Sequence, residues 1–477
     1  MELNNKAKGF SHLVIKRSDL NTNKIFAEFY LPENRQLLDK LESFGKYPLS
    51  NLKEFSQRMF DGPFGSNRKV DMYQKSGIPY VRVKQVRHEG IDIDDLVYIS
   101  EEKHQKIIRS RVVPGNVLLT IAGSQLGKAA VFPDVFEEGN ITGHIAGIEV
   151  KESINPHYLC LFINSRFGKE QILLLSHRST RKEMNLREIS QIKVPFPPRK
   201  VQDRIAQIMQ EAYGDRYEKL NAASNLLSGI DDFILTKLGI NLEKSQRQKY
   251  FTVPSKEVIG GRFDVESISN SFDKSQYPNV QWTSLKEVAN LPTKNEVASK
   301  QPDKYFSYIG MPDIDNIYGE VNISEIPGKS IKANKIIIQG NDVVFARIEP
   351  CIYNLKIALI PSDIDKALGS TELLIARPKS DTLPAFLFWI LRSQLIQQQI
   401  LGQVTGTTGR RRLPKQVFAS LQIPVVSREE QKLIADEAMQ RKDVAKALWV
   451  EAEKIITDAR ELVERIILGE EEAVGGN

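Results

Sequence analysis

The sequence predicts a mixed α/β (α+β) protein in which two similar domains are each followed by a long helix. Three observations predict it. The chain repeats its own landmarks in the same order. Within each copy, short β-branched runs punctuated by turn residues give way to one unbroken helical stretch. Those two stretches carry apolar stripes at coiled-coil spacing.

The repeat is clearest at its ends. Val194-Pro195 followed by Gln202-Asp203-Arg204-Ile205 closes one half, and Ile423-Pro424 followed by Gln431-Lys432-Leu433-Ile434 closes the other. Both lead into helical patterns that stop at Leu238-Gly239 and Leu468-Gly469. Leu52-Lys53-Glu54 matches Leu285-Lys286-Glu287, and Gly77-Ile78-Pro79-Tyr80-Val81 matches Phe306-Ser307-Tyr308-Ile309. Gly90 and Gly319 mark the turns that follow. Pro114-Gly115-Asn116-Val117-Leu118 corresponds to Gln339-Gly340-Asn341-Asp342-Val343-Val344, a turn feeding a buried strand. Asn155–Ile163 and Thr382–Leu391 read as matching amphipathic helices, and Ile25–Glu28 pairs with Arg262–Val265. A period of roughly 230 residues is too long for a solenoid, so this is a duplicated domain.

The expected division is therefore a first domain over 1–198 (core about 45–198), a helix over 199–240, a second domain over 241–425 (core about 278–425), a helix over 426–470 and a tail over 471–477. In the second helix Leu448, Ala452, Ile455, Ala459, Leu462 and Ile466 recur at alternating steps of four and three. The first helix repeats this more loosely through Ile205, Leu227 and Ile234. Ser427 with Glu430 forms a capping box, and Gly239 and Gly469 fall where C′ glycines belong. Gly214 should weaken the first helix midway, by about 1 kcal/mol relative to Ala. Mutual burial of the two stripes is the economical arrangement; the alternative is that each helix packs only on its own domain.

Composition narrows the class. Lys and Arg number 66 against 60 Asp and Glu, a net charge of +6 that permits a polyanionic partner without requiring one. Only Cys160 and Cys351 are present, which excludes a disulfide framework and points to a reducing, cytoplasmic setting. No apolar run approaches the ~20 residues that cross a bilayer, and Met1–Phe10 is polar, so no membrane association is expected.

Catalytic motifs fail one by one. Pro195-Phe196-Pro197-Pro198 has the wrong order for the Asn/Asp-Pro-Pro-aromatic tetrad that holds a flipped adenine. Gly123-Ser124-Gln125-Leu126-Gly127-Lys128-Ala129 is one residue short of a phosphate-binding loop and has Ala where the magnesium-binding hydroxyl belongs. The six histidines show no ligand spacing, and no metal site is expected.

Basic loops occur instead at matching places. One carries Arg178, Arg181 and Lys182; its counterpart carries Thr407, Arg410, Arg411 and Arg412. Arginines and backbone N–H groups in such loops suit phosphates, and arginine also reads guanine, although a solvated surface would look the same. Gly65, Ser66, Asn67, Arg68 and Lys69 form a second donor-rich turn, and Arg82, Lys84 and Gln85 follow a matched strand. Ser124, Gln125 and Lys128 correspond to Tyr353, Asn354 and Lys356, with Arg347 just before them. Scaffold positions agree between the halves while these polar positions differ.

A domain, a strand–proline–Gln-x-x-Ile junction and a long helix, all occurring twice, resemble the specificity (S) subunit of Type I restriction–modification systems. Gly62-Pro63-Phe64-Gly65-Ser66, Gly77–Val83, Pro114–Leu119 and the Gln202 and Gln431 junctions carry the resemblance from about Leu20 to Gly469. The second half lacks a clear Gly-Pro-Phe-Gly-Ser segment. The resemblance implies a non-catalytic subunit whose two target-recognition domains each read half of an interrupted site in double-stranded DNA. It also implies an antiparallel coiled coil with pseudo-two-fold symmetry as the ruler between them. The partners implied are two methylation subunits using S-adenosylmethionine and restriction/translocase subunits using ATP and Mg2+, with no cofactor in this chain. The competing readings are a coiled-coil interaction scaffold that reads no DNA, a DNA-binding accessory of an orphan methyltransferase, and a self-sufficient enzyme.

Overall fold

A computed structural model describes residues 3–7, 10–13, 32–63, 73–176, 182–242, 272–332, 334–407 and 411–473. The matched prefixes 25–28 and 262–265 lie outside the described residues. The chain divides into two compact units, Met1–Tyr217 with Ala452–Asn477, and Glu218–Glu451. Each long helix, Arg199–Lys237 and Arg428–Leu468, therefore contributes one stretch to each unit.

In the first unit, an antiparallel sheet places Ser56–Asp61, Ile145–Val150, Val117–Thr120 and Ala129–Val131 side by side in that order. A second sheet runs Val97–Ile99, Ile78–Val81, Gly139–Ile141 and Arg111–Val112, with one parallel pair at its centre. The second unit repeats the first sheet with Ala289–Asn290, Leu373–Pro378, Val343–Ala346 and Ile357–Leu359. Its other sheet again centres on a parallel pair, Tyr305–Ile309 beside Ala367–Gly369, and has five strands. Registers agree as well: Leu119 opposes Ala129 and Ala146, and Phe345 opposes Ile357 and Leu374. In each unit a short strand (Leu49–Asn51 or Trp282–Ser284) pairs with the proline-ended strand before the long helix.

The structure corrects one expected match by a residue. Gly115 (φ +85°) aligns with Asn341 (φ +66°), not with Gly340, because both open the same left-handed turn. Asn116 then aligns with Asp342: each side chain accepts from a backbone N–H three residues earlier, Val113 and Gln339.

The junction glutamines have a clear physical task. Gln202 accepts from Asn155 N–H at 2.7 Å and donates to Pro197 O at 2.9 Å. Gln431 accepts from Leu383 N–H at 2.8 Å and donates to Asp381 O at 3.0 Å. Each buried amide satisfies the backbone where strand, proline turn and helix meet. A second pair of clamps, Gln171 on Lys193 and Gln399 on Gln422, fixes the strand before the junction through both backbone groups.

The long helices pack antiparallel against each other and also join the domain cores. In the first unit Arg216 meets Glu453, while Met209 and Tyr213 share a pocket wall with Arg460 and Val463. In the second unit Lys219 meets Glu451 and Arg441 donates to Gly229 O. Ile205 and Ile234 are buried as expected, with Leu227 half-buried beside them. In the second helix the seam differs from the expected one. Ala438, Ala445, Ala452, Ala459 and Ile466 recur every seven residues and are all buried, with Ile456 and Val463 between them. Leu448, Ile455 and Leu462 flank this line and are half-buried. Alanines at the contact let two backbones approach closely, so the large residues fall to the sides. Ser427 and Glu430 make both capping-box bonds, and Gly239 and Gly469 adopt φ of +69° and +75°. Gly214 does not interrupt its helix; packing outweighs its propensity penalty of about 1 kcal/mol.

Candidate nucleic-acid interface

In each unit the two sheets meet along a hydrogen-bonded seam, and the polar positions singled out from sequence collect there. In the first unit Thr142 N–H donates to Val81 O at 3.1 Å, and Ile121 N–H donates to His144 O at 2.9 Å. Met184 N–H then donates to Ile121 O at 2.9 Å, and Gly123 N–H donates to Lys182 O at 3.1 Å. This line sets the strand end before Arg82, the Gly123–Gln125 turn and the end of the basic loop in sequence along one edge. The second unit repeats it bond for bond. Ser370 donates to Ile309 O (3.2 Å), Arg347 to Glu372 O (3.0 Å), Leu413 to Arg347 O (2.9 Å) and Glu349 to Arg411 O (3.0 Å). Gly62 sits against the first seam: a Cβ there would lie 2.2 Å from Ile141 O, so no other residue fits.

What the side chains do along this seam varies. Ser124 is exposed, with Gln125 and Lys128 half-buried; Lys182 is exposed. Asp95 gathers three candidates: Lys84 Nζ lies 2.6 Å from its carboxylate, Arg82 donates to its carbonyl at 3.2 Å, and Gln85 Nε2 donates to that carbonyl at 2.6 Å. The Lys84 ammonium holds the Asp95 carboxyl below its usual range. Gln85 is fully buried, and its Oε1 accepts from Arg82 N–H at 2.9 Å. It is a brace for the Arg82 turn and not a surface reader, which corrects the expectation for that residue. Arg82 also stacks 5.4 Å over the Tyr73 ring.

In the second unit Tyr353 and Asn354 are exposed at the turn and Thr407 is exposed in the loop. Lys356 departs from expectation: its ammonium donates to Met311 O (3.0 Å) and Ile314 O (2.8 Å), tying a neighbouring loop to the sheet. Arg347 is half-buried. Arg411 pairs with Glu349 at 3.1 Å. Arg412 makes a two-pronged contact with Glu372, both bonds at 2.8 Å. Gly65, Ser66, Asn67, Arg68, Lys69, Arg178, Arg181 and Arg410 lie outside the described residues. Glu349 and Glu372 were not foreseen, because each meets its arginine only through the fold. Among the described residues no group of three or more His, Cys, Asp or Glu side chains is placed to hold a metal ion. No described helix is long and apolar enough to cross a membrane.

Two like scaffolds bearing unlike polar seams define a recognition protein with two non-identical reading surfaces. The model of the Type I restriction modification DNA specificity domain matches residues 59–223 and 279–439, well over half of the chain. The chain belongs to this family and is a type I restriction–modification specificity subunit with two recognition domains. It is 22% identical over 467 residues to the provisionally named type I restriction enzyme MjaX specificity subunit of Methanocaldococcus jannaschii, covering 93% of this chain and 98% of that one. It is 30% identical over 158 residues to the EcoAI specificity subunit of Escherichia coli, covering 32% of this chain and 26% of that one. A solved structure described under complex assembly and conformational transition of the type I R-M system shares the fold, with a TM-score of 0.53 at 13% identity. That likeness covers 89% of this chain and 97% of that one.

Proposed function

We propose that each recognition domain reads one half of a bipartite, gapped site in double-stranded DNA, and that the chain itself carries out no chemistry. The observation that carries this reading is the seam: eight backbone bonds recur in the two units while the side chains beside them change. A scaffold kept constant with a changed polar surface is what two readers of different sequences require. On this reading the basic loops, the Ser124 and Gln125 turn, Lys128, Lys182, Tyr353, Asn354 and Thr407 face DNA. Methylation would come from two partner subunits that bring S-adenosylmethionine. Translocation and cleavage would come from restriction subunits that bring ATP and Mg2+, all in the cytoplasm. Membership of a type I system supports such partners in general.

Salt dependence separates this reading from a scaffold that binds no DNA. A gel-shift titration of the chain with its cognate methylation subunit should lose about 10^3-fold or more in affinity between roughly 50 and 200 mM salt, as neutralised phosphates regain counterions. Affinity that is absent, or flat with salt, would favour the scaffold.

A further inference from the structure

The geometry points to Glu372 as a positioning residue that aims Arg412 at a guanine in the half-site read by the second domain. This inference rests on the DNA-reading function proposed above. Glu372 accepts from Arg412 Nε and Nη2 through its two oxygens, both at 2.8 Å. Those bonds occupy the side-on edge of the guanidinium and fix its plane. Because the group is planar, its end-on edge, formed by Nη1 and the outer hydrogen of Nη2, points away from the carboxylate. That is the edge that spans guanine O6 and N7 in the major groove. The Arg412 side chain is 36% exposed and that of Glu372 26%, so the pair is at the surface and not in the core.

The pair also sits where reading is expected. The Glu372 carbonyl takes Arg347 N–H, and Arg412 bridges Ile348, so both residues flank the seam directly. The same two seats in the first unit, defined by Ile121 N–H on His144 O and the Ala122–Glu183 bridge, hold His144 and Glu183. The glutamine clamps are identical in the two units, whereas this pair is replaced. A brace needed by the scaffold would be kept; a reader of one half-site would change. Arg412 and Arg347 also hold the Glu372 carboxyl below its usual range, so the buttress stays charged across the physiological range.

The test is methylome sequencing of cells co-expressing the chain, or a variant, with its cognate methylation subunit. For Arg412→Ala and Arg412→Lys, discrimination at one G·C position of one half-site should fall about 10- to 100-fold, since lysine keeps the charge but not the fork. Glu372→Gln should relax the same position partially. The other half-site and the gap should be unchanged. Full fidelity at every position in all three variants would overturn the inference. So would uniform loss across both half-sites with a lowered melting temperature, which marks a structural brace. If the unaltered chain yields no gapped motif, the DNA-reading function itself fails, a result distinct from either.

Discussion

Arg392→Ala is expected to cost the second recognition unit about 3–5 kcal/mol, the range for stripping the partner from buried polar groups. The Arg392 guanidinium donates to four backbone carbonyls, Leu355 and Ile357 from Nη1 and Asn316 and Ile317 from Nη2, all at 2.9–3.0 Å. It thereby ties a helix end to a strand edge and to the loop before Gly319. Burial lowers its pKa to about 10, which still leaves the group charged at neutral pH. Removing it strands four carbonyls and opens a cavity under Phe388, whose ring it faces at 5.5 Å. Domains are commonly stable by only about 5–15 kcal/mol, so the loss removes a large share of the margin. The equivalent residue in the first unit is Asn164, which bonds only the strand edge, through Ala129 N–H and O. Arg392→Asn should therefore lose less than Arg392→Ala, because it can still serve the strand but not the loop. Thermal denaturation followed by hydrogen exchange would read both effects, with protection lost in 272–425 and kept in 45–198. Equal stability of all three proteins would contradict the role assigned to Arg392.

The second large effect is on spacing. Adding four residues to each long helix, after Tyr217 in one and after Glu451 in the other, lengthens both by about 6 Å at 1.5 Å per residue. At about 3.4 Å per base pair, the unread gap should grow by roughly two base pairs. Both half-site sequences should stay as they were, because no residue of either seam changes. Paired insertion matters physically: the two helices run antiparallel, and lengthening one alone would slide Arg216 past Glu453 and Lys219 past Glu451. Mapping the methylated motif checks this directly. An unchanged gap would mean that the helices do not set the separation.

Much of this architecture is local information and was therefore legible. Order of landmarks, the capping box at Ser427 and Glu430, the C′ glycines and the junction glutamines all express themselves within a few residues. The Arg412–Glu372 pair spans 40 residues and Gln171 reaches Lys193 across 22, so neither leaves a local pattern. The seam of the second helix was misplaced for another reason. Its alanines carry little hydrophobic weight, so Leu448, Ile455 and Leu462 draw the eye to the flank. Gln85 looked like a surface donor because Asp95, which buries its amide in a closed network, is ten residues on.

The central claim is that one chain carries two different readers held at a set distance. Single-molecule methylome sequencing of a host expressing this chain with its cognate methylation subunit tests it most directly. The account predicts adenine methylation at one motif, made of two unlike half-sites separated by a fixed run of unread bases. A continuous motif, or a stable complex that methylates no specific sequence, would contradict it.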